Sequence, residues 1–301
     1  MNYTVRRKDT TMSEQSTPIE TVFVEHDPQD VRTHEAYELL ERSLAQVGIR
    51  QVVDISEAAA MVVIGGDGTL IHAVHKHNFP NIPLRGINTG TIGFFMSTDP
   101  THQEIADLAH NLRVGAFSVD NLAVLEVQDE RGACIGRALN EAVIRSSSGQ
   151  ALHMALGIGS ADFGKLTADG AILSTPSGST GYAKSAGGPF IHEALRAYEV
   201  VPLNPYYSPI DRPAIVPADL PTTVSVFDTT RRPYQLSVDG MLVVDSVQGV
   251  DEQDHAYSFA ISNDTDVKII RFSGHEYFKK LGQNKRNTRT SQRDVVIRAY
   301  S

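Results

Sequence analysis

One carboxylate set among glycines is the plainest candidate for chemistry in this chain: Asp67, in Gly65-Gly66-Asp67-Gly68-Thr69. The apolar run Met61-Val62-Val63-Ile64 before it reads as a buried strand, and Leu70-Ile71-His72-Ala73-Val74 after it reads as a helix. A strand that hands over to a helix through glycines makes a phosphate-sized cavity. Glycine lets the backbone come close, and the first N–H groups of the helix point at the anion. A carboxylate repels phosphate, so Asp67 either meets a hydroxyl or a metal beside the phosphate or caps the helix. Three more polar clusters accompany it: Asn88-Thr89-Gly90-Thr91-Ile92-Gly93-Phe94, Asn140-Glu141, and Asp169-Gly170 running on to Gly188. In the last, Leu173-Ser174-Thr175-Pro176-Ser177-Gly178-Ser179-Thr180-Gly181-Tyr182 offers hydroxyls and backbone N–H groups at a density that suits a nucleotide's acceptor oxygens. Taken alone it is equally a Gly/Ser/Thr-rich surface loop. Glu141 taken alone is a mid-strand carboxylate that faces water.

The elements that must position these groups change character along the chain. Thr21-Val22-Phe23-Val24 reads as a strand, and Ala36, Leu39, Leu40, Leu44 and Val47 follow at helical spacing up to a stop at Gly48. Ile49 to Val53 and Pro83-Leu84-Arg85-Gly86-Ile87 read as further strands. Asp99-Pro100 reads as N-cap and first residue of a helix carrying Ile105, Leu108, Ala109 and Leu112. Strands alternating with helices predict a doubly wound, mostly parallel sheet over 19–113. From about Val114 the pattern becomes period-two, with Leu122 to Val127, Ala138 to Arg145, Val224 to Phe227 and Gln235 to Val238 as strands and a short helix after Thr180. Residues 114–265 are therefore expected to be all-β. A strand from Val267 to Phe272 and a helical segment with Tyr277, Phe278 and Leu281 follow within 266–301.

The totals set bounds. A net charge of −9 argues against general nucleic-acid or anionic-membrane binding. The single cysteine, Cys134, excludes an intrachain disulfide framework and fits a reducing cytoplasm. No apolar stretch approaches the roughly 20 residues that span a bilayer. Residues 1–18 read as a disordered tail without a signal peptide's apolar region, and Met12 is an alternative start. The basic stretch from Lys279 to Arg298 reads as a solvated or subunit-bridging tail rather than a nucleic-acid arm. His72, His75 and His77 read as helix-surface histidines, because no third metal ligand accompanies their spacing. Neither a P-loop nor a Gly-x-Gly-x-x-Gly fingerprint is present.

Together the clusters resemble the NAD kinases, which phosphorylate the 2′-hydroxyl of NAD from ATP or a related donor. The resemblance is carried by Gly65-Gly66-Asp67-Gly68-Thr69, by Gly86-Ile87-Asn88-Thr89-Gly90 with Gly93-Phe94, by Asn140-Glu141, and by Asp169-Gly170 through Pro189, in that order. It implies an N-terminal α/β domain, an all-β C-terminal domain, a last segment returning to the first domain, active sites between domains and subunits, and a homodimer or homotetramer. By the same resemblance Asp67 is the general base on the 2′-hydroxyl, with Gly65, Gly66, Gly68 and Thr69 as the phosphate loop and Gly68 also against NAD. Asn140 and Glu141 hold ribose hydroxyls, and Asp169 meets the nicotinamide end. Phe94, Ser177, Thr180, Tyr182 and Ser185 surround the adenine and its ribose. Asp239-Gly240 resembles a further nucleotide-side aspartate. The implied cation is Mg²⁺ or another divalent ion carried on the donor's phosphates, with no dedicated protein metal site. The chain departs from the family in having Gly181 for a usual alanine, and in having Thr167 and Ala168 where a basic residue often precedes Asp169, with Lys165 as a substitute. The alternatives are another kinase of the same loop type, acting on a lipid or sugar hydroxyl, and a silent dinucleotide sensor.

Overall fold

The computed structural model describes residues 16–90, 93–246 and 254–272. Thr91, Ile92, most of the N-terminal tail, the helical segment at Tyr277 to Leu281 and the basic stretch after it lie outside the described residues. The chain forms two compact units: one runs to Asp120 and resumes at Lys268, the other is Asn121–Val267. Ser16 donates its N–H to Gly115 O (3.0 Å) and its hydroxyl to Phe117 O (2.7 Å), so the chain at residue 16 is already held to residues 115–117.

The first unit contains β1 (Thr21–Glu25), α1 (Val31–Val47), β2 (Arg50–Val52), β3 (Ala60–Gly65), α2 (Asp67–Lys76), β4 (Leu84–Asn88), β5 (Met96–Thr98) and α3 (His102–Val114). Strand order is β2-β1-β3-β4, all parallel, with β5 also parallel to β4. The order reverses between β1 and β3, and open parallel sheets take ligands in the crevice outside the strand ends at such a reversal. Gly65 ends β3 at that place. Every residue of β3 is buried, as a strand covered on both faces requires. Ala60, Val62 and Ile64 share a core with Ala36, Leu40 and Leu44 of α1 and Ile105, Leu108 and Leu112 of α3.

Helix α1 starts at Asp30, whose carboxylate accepts the Arg32 N–H, and stops at Gly48 with φ +76°. Helix α3 begins later than the Asp99-Pro100 signal indicates. Thr101 is the cap, accepting the Glu104 N–H on its hydroxyl, while the Glu104 carboxylate takes the Asp99 N–H at 2.6 Å. The returning segment is as expected: Ile269 pairs in parallel with Leu84, and Ile270 O accepts from the buried Arg85 guanidinium at 3.0 Å.

The second unit is a sandwich of β6 (Ser118–Gln128), β7 (Cys134–Ala138), β8 (Glu141–Ser146), β9 (Leu152–Ile158), β10 (Ala161–Ala168), β11 (Gly170–Ser174), the short helix α4 (Tyr182–Ser185), β12 (Ala197–Leu203), β13 (Ala214–Pro217), β14 (Thr222–Phe227), β15 (Tyr234–Val238), β16 (Met241–Asp245) and β17 (His255–Arg271), whose last four residues belong to the first unit. One antiparallel sheet has the order β13-β12-β11-β8-β15-β16. Opposite it β10, β9, β14 and the start of β17 pair antiparallel. Leu173, Tyr198 and Leu236 from the first sheet meet Met154, Val224 and Phe259 from the second in one core. The run Ala138 to Arg145, which reads as a single strand, is two strands broken at Leu139-Asn140; the cause lies in Asp239. Among the described residues no helix is long and apolar enough to cross a membrane.

Candidate active site

In the first unit Asp67 is neither a free carboxylate nor the cap of its own helix. Gly66 is the N-cap, Asp67 is the first helical residue, and its carboxylate reaches across to the loop after β4. Oδ2 accepts the Phe94 N–H at 2.6 Å, and Oδ1 accepts the Phe95 and Met96 N–H groups at 2.9 and 3.3 Å. The carboxylate thus clamps the segment Phe94 to Met96 against the glycine loop and is itself fixed by three donors. Phe95 and Met96 are partners that side-chain motifs could not reveal, because they act through backbone N–H.

The four loop residues around Asp67 divide by role. A Cβ on Gly65 would lie 2.6 Å from Thr69 Cβ, so Gly65 is needed for packing. The Thr69 hydroxyl accepts the Gly66 N–H at 3.3 Å. Among the described residues nothing lies within 4 Å of where a Cβ on Gly66 or Gly68 would stand, and neither carries a positive φ, so the described fold does not require glycine there. Open space over these two positions, next to first-turn N–H groups that have no intrahelical acceptor, is what an anion approaching the backbone requires. The Asn88-Thr89-Gly90 segment flanks it: Thr89 donates to Gly65 O, and Gly90 donates to Asn88 Oδ1. Phe94 is 7% exposed and packs edge-on to Phe95. His77 is held by Glu25 at 2.9 Å and His75 packs edge-on to Phe79, while His72 is exposed.

The second unit repeats the device. Asp239, in the β15–β16 turn with φ +47°, accepts N–H groups from Leu139 (2.7 Å), Asn140 (2.7 Å) and Glu141 (3.1 Å). Its own N–H donates to Glu141 O at 2.9 Å. Backbone donors that would have continued one strand are turned onto this carboxylate, which splits β7 from β8 and projects Asn140 and Glu141 at the break. Asn140 Oδ1 and Glu141 Oε2 are buried without a hydrogen-bond partner among the described residues. Burial, and secondly the charge of Asp239, push the Glu141 carboxyl up to about 7. Two orphaned buried acceptors side by side are a donor-seeking pair, as hydroxyls of a sugar would satisfy.

Ser177, Thr180, Tyr182 and Ser185 follow on the segment after β11, next to this pair. Thr175 donates its N–H to Asn140 O, and a Cβ on Gly178 would strike that carbonyl. Most hydroxyls here serve the loop itself. Thr175 Oγ1 donates to Leu139 O, Ser179 Oγ to Pro176 O, and Thr180 Oγ1 to Ser177 O. Tyr182 and Ser185 are exposed and Ser177 is buried. The hydroxyl density of this stretch is thus mainly internal scaffolding, which the sequence pattern could not distinguish from ligand contacts.

Asp169 is not brought to that group. Gly170 pairs with Arg145 and Ser174 with Glu141, so Asp169 and Glu141 sit at opposite ends of β11. At about 3.3 Å per residue they are on the order of 16 Å apart and cannot contact one sugar. Asp169 accepts from Asn204 Nδ2 at 2.9 Å, and the Lys165 ammonium lies 5.7 Å from the Phe227 ring.

Both Glu141 and Glu199, which is likewise raised to about 7 by burial, hold their protons more tightly folded than unfolded. Their contribution to stability is complete below the ordinary value of 4.5 and is lost as pH rises through about 7. The thermal midpoint is expected to fall across that window, and E141Q/E199Q to flatten the fall; an unchanged slope in the double variant would place the titration elsewhere.

A glycine loop with a clamped carboxylate at the switch point of a parallel sheet, joined to an all-β sandwich with an orphaned amide–carboxylate pair, defines the class of the protein. The family model for the ATP-NAD kinase N-terminal domain matches residues 8–115, and that for the C-terminal domain matches residues 139–254. An NAD kinase of Thermococcus kodakarensis is 35% identical over 212 residues, covering 70% of this chain and 69% of that protein. One from Porphyromonas gingivalis is 34% identical over 181 residues, covering 60% of this chain and 62% of that protein, so the chain spans about three fifths of that curated relative's length. The crystal structure of yeast NADH kinase complexed with NADH shares the fold, with a TM-score of 0.74 at 19% identity over 88% of this chain and 87% of that one. The chain belongs to the NAD kinase family.

Proposed function

We propose that the protein is an NAD kinase that transfers the γ-phosphoryl group of ATP to the 2′-hydroxyl of the adenosine ribose of NAD, giving NADP. The observation that carries this reading is Asp67, fixed by three N–H groups beside a helix N-terminus with open space over Gly66 and Gly68. Phosphate chains take the backbone N–H groups of the loop, and the carboxylate stands by the acceptor oxygen. As the bond from the 2′-oxygen to phosphorus forms, the bond to the bridging oxygen breaks, ADP leaves with that electron pair, and the hydroxyl proton passes to Asp67. A positioned base of this kind contributes roughly 10²–10⁴-fold. Asn140 and Glu141 supply acceptors for a ribose diol. Gly68, Phe94, Asp169, Ser177, Thr180, Tyr182 and Ser185 make up the remainder of the dinucleotide site by family resemblance.

Mg²⁺ or another divalent cation enters on the donor's phosphates and neutralises their charge. The loop's one carboxylate already accepts three N–H groups, which fits a cation held mainly by phosphate oxygens. The reading extends to a cytoplasmic homodimer or homotetramer; light scattering on the purified chain tests the assembly. The function itself is tested by incubating the chain with ATP, Mg²⁺ and NAD and coupling to an NADP-specific dehydrogenase; no NADP above a blank without protein overturns it. In that assay Glu141→Ala is expected to raise KM for NAD at least tenfold, about what the loss of one charged hydrogen bond of 1.5–3 kcal/mol gives. An unchanged KM would return Glu141 to an ordinary strand residue.

A further inference from the structure

Glu199, on β12, is fully buried, and neither of its carboxylate oxygens has a hydrogen-bond partner among the described residues. Ser174 pairs with Glu199 on one side and with Glu141 on the other, so the three share one face of the six-stranded sheet. That face also carries Val143, Ile172 and Val201, on which Ala183 of α4 packs. After α4 the chain turns back through Gly187 and Gly188, whose N–H groups donate to Lys184 O and Ala183 O. A Cβ on Gly188 would lie 2.6 Å from Glu199 Oε2 and 3.1 Å from its Cδ, so the turn rests directly on the carboxyl.

We propose that Glu199 is a positioning residue: as the neutral acid it is the floor on which the Tyr182–Gly188 turn sits, and loss of its proton lifts that turn together with Tyr182 and Ser185. An acid with no partner is tolerated in such a place only while uncharged, because an isolated buried carboxylate loses its hydration without compensation. Among the described residues no charged group offsets the burial of this carboxyl. Ser174 stands opposite on β11 and Ile215 opposite on β13. Lys184 on α4 is exposed, with its ammonium 5.5 Å from the Phe190 ring. Glu141, one strand beyond Ser174, is itself an acid, and His192 Nδ1 accepts the Ala194 N–H. Burial alone raises the Glu199 carboxyl to about 7, in the range where cells and assays operate. That the displaced turn weakens a dinucleotide rests on the function proposed above; the seating of the turn does not.

The test is amide hydrogen exchange of residues 182–188 in the full chain at pH 5 and pH 8, corrected for intrinsic rates, with KM for NAD measured at the same pH values. In the unaltered protein, protection of these amides is expected to fall on the order of 50-fold between the two, as a proton bound only in the seated state requires. Glu199→Gln, neutral at both, is expected to keep the turn protected at pH 8 and to remove most of the rise in KM. Equal protection at both pH values in the unaltered chain overturns the proposal even if the variant fails to fold. So does a Gln variant with the parental pH dependence. If exchange behaves as expected while NAD binds at neither pH, Glu199 still seats the turn and the dinucleotide reading is what fails.

Discussion

Replacing Asp67 by asparagine is expected to lower kcat for NAD phosphorylation by roughly 10²–10⁴-fold, the usual worth of a positioned base. The geometry makes this replacement less innocent than an isostere elsewhere. Both carboxylate oxygens are acceptors, one for Phe94 and the other for Phe95 and Met96. An asparagine has one acceptor oxygen, so in either orientation its NH₂ faces a backbone N–H. Leaving a buried donor unmatched costs about 1–3 kcal/mol, and the Phe94–Met96 segment will shift to relieve it. Two effects are thus superimposed, loss of the proton acceptor and loss of the clamp, and they separate in the kinetics. Loss of the acceptor lowers kcat with KM for NAD nearly unchanged, whereas loss of the clamp raises KM and lowers the thermal midpoint. A variant with kcat within a few-fold of the parent and a raised KM would make Asp67 a clamp alone and remove it from proton transfer.

That double role marks where the sequence stopped being informative. The strand–loop–helix unit around Asp67 was legible because apolar periodicity and glycine punctuation are local signals. The parallel first unit and the all-β second unit were legible for the same reason, whereas the return of Ile269-Ile270 to the first unit was implied by the family resemblance and not by local pattern. The partners of Asp67 and Asp239 were not, because a carboxylate gripping backbone N–H groups 27 or 100 positions away leaves no residue-type signature at the receiving end. The single strand expected from Ala138 to Arg145 failed for that reason: its break is imposed by Asp239, not by Leu139 or Asn140. The Ser/Thr-rich stretch had the opposite problem. Composition showed many hydroxyls, but whether Ser179 bonds a ligand or Pro176 O is decided only by how the loop folds on itself. Glu199 lies in an apolar strand pattern and carried no signal at all until its burial was visible.

Asp239 is where the second large effect is expected. Its carboxylate holds three successive N–H groups, and its φ of +47° is a conformation that aspartate and asparagine tolerate better than alanine does. Asp239→Ala therefore removes the acceptor and strains the turn together. Each hydrogen bond to a charged group is worth about 1.5–3 kcal/mol, so even with strong non-additivity several kcal/mol of local order at Leu139 to Glu141 are at stake. The expected result is a rise in KM for NAD of two orders of magnitude or more, with folding retained in the first unit. Asp239→Asn is the discriminating variant. It keeps the turn and one acceptor but removes the charge that, after burial, raises the Glu141 carboxyl. The Glu141 titration, followed by carboxyl NMR, is then expected to move down from about 7 toward 4.5, because one of its two causes is gone. A Glu141 midpoint that does not move in Asp239→Asn would mean that burial alone sets it and that Asp239 acts on the backbone only. A midpoint that moves down while KM stays near parental would show the charge and the second carboxylate oxygen to be incidental to binding, the N–H contacts to one oxygen sufficing to place Asn140 and Glu141.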